Sequence, residues 1–175
     1  MSGYMDSYIF ESPIGLLKIC EKDGKLTNLY LLQKSTETGS LKKQSVSGGL
    51  QNPERHSELL CEAAGQIREY FAGKRKEFNL PVSLEGTSFQ QRVWKALQEI
   101  PYGETRSYED IAIAVGNKKA VRAVGQANNK NPLMIIVPCH RVIHKNGEIS
   151  GFACGTDVKK YLLDLEKKQN SVQEV

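Results

Sequence analysis

Cys139, His140 and Arg141 stand in a row after the apolar stretch Ile135-Ile136-Val137-Pro138, and together they could make an activated nucleophile. A free cysteine is only about 3% thiolate at pH 7, so a cysteine that must attack needs a neighbouring cation or base. The apolar run predicts a buried strand. Successive strand residues point to opposite faces, so direct contact between Cys139 and His140 would need a turn or a bridging water. An inert buried thiol is the ordinary fate of a cysteine in such a stretch, but it leaves the His-Arg pair without a reason. A metal is the other chemistry these types allow, because Cys139, His140, His144 and Cys154 contain a His-x3-His spacing. The two Cys-x2-Cys pairs of a structural zinc site are missing, and Ile143 and Phe152 predict hairpin strands between the candidates. That argues against a metal.

The residues that would position Cys139 read as helices. Thr87-Ser88-Phe89-Gln90 fits a capping box, and Phe89, Val93, Ala96, Leu97 and Ile100 follow on one face until Pro101-Tyr102-Gly103 stops the helix. Ser107 caps a second helix carrying Ile111, Ala114 and Val115, which ends at Gly116. Asn117 caps a third, from Lys118 to about Asn128. Two short helices joined at Gly116-Asn117 predict a helix-turn-helix. On the helical wheel Val121 and Val124 face inward, while Lys119, Arg122 and Gln126 lie opposite, beside Lys118 and Gly125. A face of cations, an amide and a glycine suits a phosphate backbone. Ala120, Ala123, Gly125 and Ala127 are small, unlike the long side chains of most major-groove readers, so the helix suits a narrow space with Arg122 as its one long arm.

Upstream, Tyr8-Ile9-Phe10, a Ser12-Pro13-Ile14-Gly15 turn and the alternating Leu17 to Cys20 predict strands. Asp23-Gly24 predicts a tight hairpin, with Leu26 to Leu32 as the partner strand. Residues 33–57 are polar and rich in Ser, Thr, Gly and Lys, which predicts an exposed loop. A helix from about Glu58 to Phe71 presents Leu60, Ala63, Ala64, Ile67 and Phe71 on one face, and Phe78, Leu80 and Val82 alternate as a short strand. Leu84-Glu85-Gly86 marks the boundary between an α/β unit, residues 1–83, and a mostly helical one, residues 84–166, with a polar tail at 167–175.

The 175 residues are 39% hydrophobic and 25% charged, an ordinary globular composition. The N-terminus lacks the basic and apolar regions of a signal peptide, and no apolar run approaches membrane-spanning length. An intracellular, reducing location follows as an expectation, with Cys20, Cys61, Cys139 and Cys154 as thiols. Net charge is only +4. Yet Arg106, Lys118, Lys119, Arg122, Lys130, Arg141 and Lys145 face only Glu109 and Asp110 between positions 106 and 145, which points to a basic face in the helical unit.

These residues resemble the O6-alkylguanine-DNA alkyltransferases, the methylated-DNA–protein-cysteine methyltransferases. The matching strings are Pro138-Cys139-His140-Arg141-Val142, Ser107-Tyr108 with Ile111-Ala112, and Ala120-Val121-Arg122-Ala123-Val124-Gly125. Asn131-Pro132, Gly151-Phe152-Ala153 and Leu162-Leu163-Asp164-Leu165-Glu166 also match, in order, from about Ser88 to Glu166. The first 80 residues match mainly in layout. The resemblance implies a ribonuclease-H-like α/β domain and a winged-helix-like DNA-binding domain. It further implies single-use repair of O6-alkylguanine in double-stranded DNA (O4-alkylthymine being a second substrate it allows), without cofactor and as a monomer. Cys139 would accept the alkyl group, His140 would be the general base and Glu166 would orient it. Asn131 would hold the turns, and Tyr108 would assist phosphate rotation and protonate the departing guanine. Arg122 would fill the gap left by the flipped nucleotide, with Ala120, Val121, Ala123, Gly125, Lys119 and Ser107 beside it on DNA. Val142, Ile149, Phe152, Ala153 and Cys154 would form the base pocket. Cys154 departs from the pattern, since many relatives carry glycine there. N-terminal ligands resembling the zinc site of some relatives are also missing, so no structural zinc is expected.

A DNA-binding protein that recognises alkylated bases without repairing them is one alternative, but such relatives lack the acceptor cysteine. A transcription regulator is another, although no effector or dimerisation domain is evident. A hydrolase using Cys139, His140 and Glu166 is the third, and turnover would distinguish it.

Overall fold

The computed structural model describes residues 5–34, 56–149 and 151–173. It divides between Ser83 and Leu84 into two compact units.

In the first unit β1 (Met5–Ser12), β2 (Gly15–Lys22) and β3 (Lys25–Lys34) form an antiparallel sheet in sequence order. The β2–β3 turn has Asp23 at φ 52° and Gly24 at φ 75°. Positive φ at both central residues is the hairpin geometry that Asp-Gly tolerates. Helix α1 (Glu58–Phe71) starts where the Ser57 hydroxyl accepts from the Leu60 N–H. Its Leu60, Ala63, Ala64 and Ile67 are buried, as are Phe10, Leu17, Ile19, Leu26 and Leu29 of the sheet. Tyr70, rather than the expected Phe71, completes the helix's buried face.

The strand expected at Phe78–Val82 is reduced to a single bridge between Leu26 and Val82. The Gln66 side chain binds the Asn79 N–H and carbonyl instead, and Pro81 has no N–H to offer a ladder. The expected loop at 33–57 also changes at its edges. Gln33 and Lys34 belong to β3, and Ser57 caps α1; residues 35–55 lie outside the described residues.

In the second unit, α2 (Ser88–Gln98) opens with the full Thr87/Gln90 capping box. A two-residue strand, β4 (Arg106–Ser107), runs into α3 (Tyr108–Ala114), whose capping box joins Ser107 to Asp110. Helix α4 spans Val121–Asn129, beginning later than expected. The Asn117 side chain caps only the turn before it, accepting from the Lys119 N–H. The Trp94 indole donates to the Ala127 carbonyl at 2.9 Å, fastening α2 to α4. Strand β5 (Val142–Ile143) pairs in parallel with β4, which replaces the expected hairpin between Ile143 and Phe152. Helix α5 (Thr156–Gln173) runs through most of the expected polar tail. No Gly or Pro interrupts residues 167–173, and Asn170 donates to the Tyr102 carbonyl at 3.0 Å. Among the described residues no helix is long and apolar enough to cross a membrane.

Candidate active site

The stretch before Cys139 is not the strand its composition predicts. The Val137 N–H donates to the Leu133 carbonyl and the Ile136 N–H to the Met134 carbonyl, which makes a series of turns. Pro132 and Pro138 bracket the stretch and lack donors for a ladder. Asn131 ties both sides together, donating to the Val137 carbonyl at 2.8 Å and accepting from the Leu133 N–H at 3.0 Å. Ile135 sits at φ 71°, a costly conformation for a β-branched residue that the surrounding contacts must hold.

Cys139–Arg141 then form a single 3-10 turn. This turn puts consecutive side chains on one buried cluster, which a strand would have separated. Asn128 of α4 donates to the Cys139 carbonyl at 3.2 Å. Burial pushes the Cys139 thiol up to about 11, aided by nearby Cys154 and opposed by Asn131 and Lys159. The resting sulfur is therefore a protonated thiol at neutral pH.

Its neighbour is a buried imidazole. His140 is fully buried, and its Nε2 lies 2.7 Å from Glu166 Oε1. Burial lowers the His140 pKa against the opposing pull of Glu166, so the ring is neutral. A neutral ring facing a carboxylate carries its proton on Nε2. That leaves Nδ1 as the basic nitrogen, and it is buried without a hydrogen-bond partner among the described residues.

Glu166 is the hub of the site. Arg141 donates to it twice, Nε to Oε2 and Nη2 to Oε1, each at 2.9 Å. Arg141 Nη1 donates to the Ile100 carbonyl at 2.7 Å, and the Gly103 N–H donates to Glu166 Oε2 at 3.3 Å. Burial alone would raise the Glu166 pKa, but His140 and Arg141 outweigh it and bring it down to about 2. Glu166 was expected beside His140; Arg141, expected beside the thiol and on the basic face, binds the carboxylate instead, and its fork fits a carboxylate in a way a lysine would not.

Tyr108, at the start of α3, is buried, with His144 at 5.2 Å between ring centroids. It lines an open cavity of about 850 Å³ with Lys119, Val121, Arg122, Gly125, Gln126, Asn129, His144 and Gly151. Val121, expected inside, is 39% exposed at this cavity, whereas Val124 is fully buried. Helix α4 begins only at Val121, so its first turn projects past the core. Gln126, expected on the exposed face of α4, lies on the rim with Asn129 and His144; the sequence offers His144 only as a metal candidate, and Asn129 has no local motif to reveal a role there. Ala120 is half-buried, Arg122 and Ala123 are exposed, and Ser107 is engaged in capping α3. Two cations of the basic stretch pair with one carboxylate, since Glu109 lies 3.4 Å from Lys118 and 2.8 Å from Lys145. Arg141, expected on the same basic face, is buried against Glu166, and Arg106 pairs with Glu104, so among the described residues the exposed cations left on that face are Lys119, Arg122 and Lys130.

Of the expected base-pocket residues, Val142 is fully buried in β5. Ile149, Phe152 and Cys154 are half-buried and Ala153 is exposed. Phe152 and Tyr108 both present rings to the buried Lys159 ammonium. Cys154 Sγ approaches Met134 Sδ at 3.7 Å. Cys154 thus stands close enough to Cys139 to affect its ionisation, and its side chain occupies space a glycine would leave open. Cys154→Gly is expected to accelerate transfer of a benzyl group several-fold while changing methyl transfer less than about twofold, since one small side chain in a pocket is worth about 1 kcal/mol. Rates with the two groups check this, and equal benzyl rates would reject a narrowing role.

The comparisons with known proteins agree along most of the chain. A model of the 6-O-methylguanine DNA methyltransferase ribonuclease-like domain matches residues 5–84, and a model of the DNA binding domain matches residues 88–168. The chain is 52% identical to the constitutive methylated-DNA–protein-cysteine methyltransferase of Bacillus subtilis, over 90% of this chain and 92% of that one. It is 47% identical to the Methanosarcina acetivorans methylated-DNA–protein-cysteine methyltransferase, over 90% and 96% respectively. Among solved structures, the Mycobacterium tuberculosis O6-methylguanine methyltransferase superposes with a TM-score of 0.78 at 43% identity, covering 95% of this chain and 94% of that one. The same organism's protein in complex with DNA gives 0.78 at 44% identity, with 93% of each chain covered. The two-domain layout and the buried Pro-Cys-His-Arg turn thus have one common source: the chain belongs to the 6-O-methylguanine DNA methyltransferase family.

Proposed function

We propose that Cys139 is the alkyl acceptor of a methylated-DNA–protein-cysteine methyltransferase, repairing O6-alkylguanine in double-stranded DNA by direct transfer to its own sulfur. The observation that carries this reading is the buried turn holding a thiol beside His140, whose Nε2 is engaged by Glu166 at 2.7 Å. A thiol pushed up to about 11 needs a base. Nδ1 of His140 takes its proton through a water, because Cys139 and His140 make no direct side-chain hydrogen bond. Glu166 balances the imidazolium that results.

The sulfur forms its bond to the alkyl carbon as the carbon–O6 bond breaks, and the electron pair leaves with guanine. Tyr108 gives that guanine a proton. The product thioether has no low-barrier exit, so each molecule acts once and needs no cofactor, and the protein works as a monomer. Helix α4 docks in the minor groove, where its small residues permit close approach, and Arg122 fills the gap of the flipped nucleotide. The wall of Phe152, Cys154 and Val142 receives the base.

The test is the intact mass of the protein after incubation with duplex DNA containing O6-methylguanine. The expected result is a gain of one methyl, localised to Cys139 and abolished in Cys139→Ala. An unchanged mass overturns acceptance by this sulfur, and product exceeding one per protein would indicate a hydrolase instead.

A further inference from the structure

Lys159 has no part in the mechanism above, yet it is one of the most deeply buried side chains of its domain. Its residue is 0% exposed on α5, and its Nζ lies 3.4 Å from the Tyr108 hydroxyl. The ammonium also sits over two aromatic faces, 5.6 Å from the Tyr108 ring centroid and 6.0 Å from that of Phe152. Aromatic faces stabilise a cation without offering it a proton acceptor. A buried lysine is costly, and placing one beside a phenol at the wall of a reactive site calls for a chemical reason.

We propose that Lys159 is the proton source for Tyr108, restoring to its hydroxyl the proton that Tyr108 gives the departing guanine. This rests on the reading of Tyr108 as the donor. Lys159 acts through Tyr108 and is a positioning and proton-supplying residue, remote from the alkyl carbon. The balance is simple. Sγ of Cys139 gains the alkyl carbon, and guanine leaves with the carbon–O6 electron pair. The guanine anion takes the Tyr108 proton, the phenolate takes one from the Lys159 ammonium, and the thiol proton remains on His140.

The groups around Lys159 set the direction of that transfer. From α3 it faces Tyr108, with His144 on the other side of that ring. From the acceptor turn it senses Cys139 and His140. Burial lowers Lys159 to about 8, against a small opposing effect of the Cys139 sulfur. Burial and the same sulfur raise the Tyr108 hydroxyl above its ordinary value. Lysine is therefore the stronger acid of the pair, and proton return to the phenolate runs downhill. A lone phenol so disfavoured as an acid would be a poor donor at neutral pH.

Single-turnover methyl transfer from O6-methylguanine duplex DNA, at saturating protein and between pH 6.5 and 9.5, tests the idea. The wild-type rate is expected to fall above about pH 8, as the ammonium is lost. Lys159→Met, which fills the site without charge, is expected to be about 10–100-fold slower at pH 7 and to lack the alkaline fall. Lys159→Arg keeps the cation but cannot release a proton to a phenolate, so it should be slowed by the same factor and be equally flat with pH, whether or not the methionine variant folds. In a Tyr108→Phe background, Lys159→Met should change the rate less than about twofold. An identical wild-type and Lys159→Arg profile overturns the proposal, as does an equal Lys159→Met loss with and without the Tyr108 hydroxyl. If Tyr108→Phe alone leaves the rate unchanged, the donor reading itself fails, and the relay with it.

Discussion

Glu166→Gln is expected to lose about 3–5 kcal/mol of folding stability at pH 7, the usual consequence of removing one partner of a buried ion pair. Arg141 would keep a buried charge with no counterion, and an amide NH2 would face either Arg141 or the His140 Nε2–H, donor against donor. The pH dependence follows from the sign of the shift. The Glu166 pKa falls from an ordinary 4.5 to about 2 on folding, so its contribution is complete above pH 4.5. That contribution is about 3 kcal/mol, and it is lost as pH falls from 4.5 through 2. Urea unfolding followed by Trp94 fluorescence at pH 7 and pH 3 checks this. The wild type should weaken between those values, and the variant should start weak and change less. Alkyl transfer in whatever fraction folds should drop by about 100-fold or more, because the base loses its orientation. Wild-type stability in the variant at pH 7 would refute the hub role of Glu166.

Arg122→Ala should leave the fold intact, since the side chain is exposed at the cavity rim, and should slow duplex repair by about 10–100-fold. The estimate follows from unstacking, which costs a few kcal/mol per flipped base, at about 1.4 kcal/mol per factor of ten. Free O6-methylguanine base needs no flipping, so its reaction with the variant should stay within about twofold of wild type. Methylated protein formed from each substrate is the readout. An equal loss on duplex and free base would move Arg122 from opening the helix to the chemistry itself.

The parts of the molecule governed by local rules were legible in the residues alone. The Asp23-Gly24 hairpin, the start of α1 at Glu58 and the Thr87/Gln90 box depend on short-range geometry, and each leaves a signature within a few residues. The stretch 133–137 misled because its apolar β-branched composition suits a strand, while two prolines and the Asn131 side chain select turns. Gln66 replaced a strand by a long-range side-chain bond in the same way. The site was legible where the family strings reach, and incomplete where tertiary packing decides. Arg141 and Lys159 are charged residues that a hydropathy pattern assigns to the surface. One hint was available. Lys159 and Glu166 are seven residues apart on α5 and flank the buried Leu162, so both fall on the inward face.

The chain order of the Glu166 cluster has a consequence for the protein as it is made. The carboxylate that organises the acceptor turn lies 26 residues after His140 and 25 after Arg141. A ribosome building the chain from its N-terminus therefore emits the thiol, the imidazole and the guanidinium before their organiser exists. Until α5 arrives, Arg141 has no carboxylate to bury against and His140 nothing to fix its tautomer. The nascent acceptor thus stays an ordinary thiol, and a chain cut short before Glu166 would carry Cys139 without the means to use it.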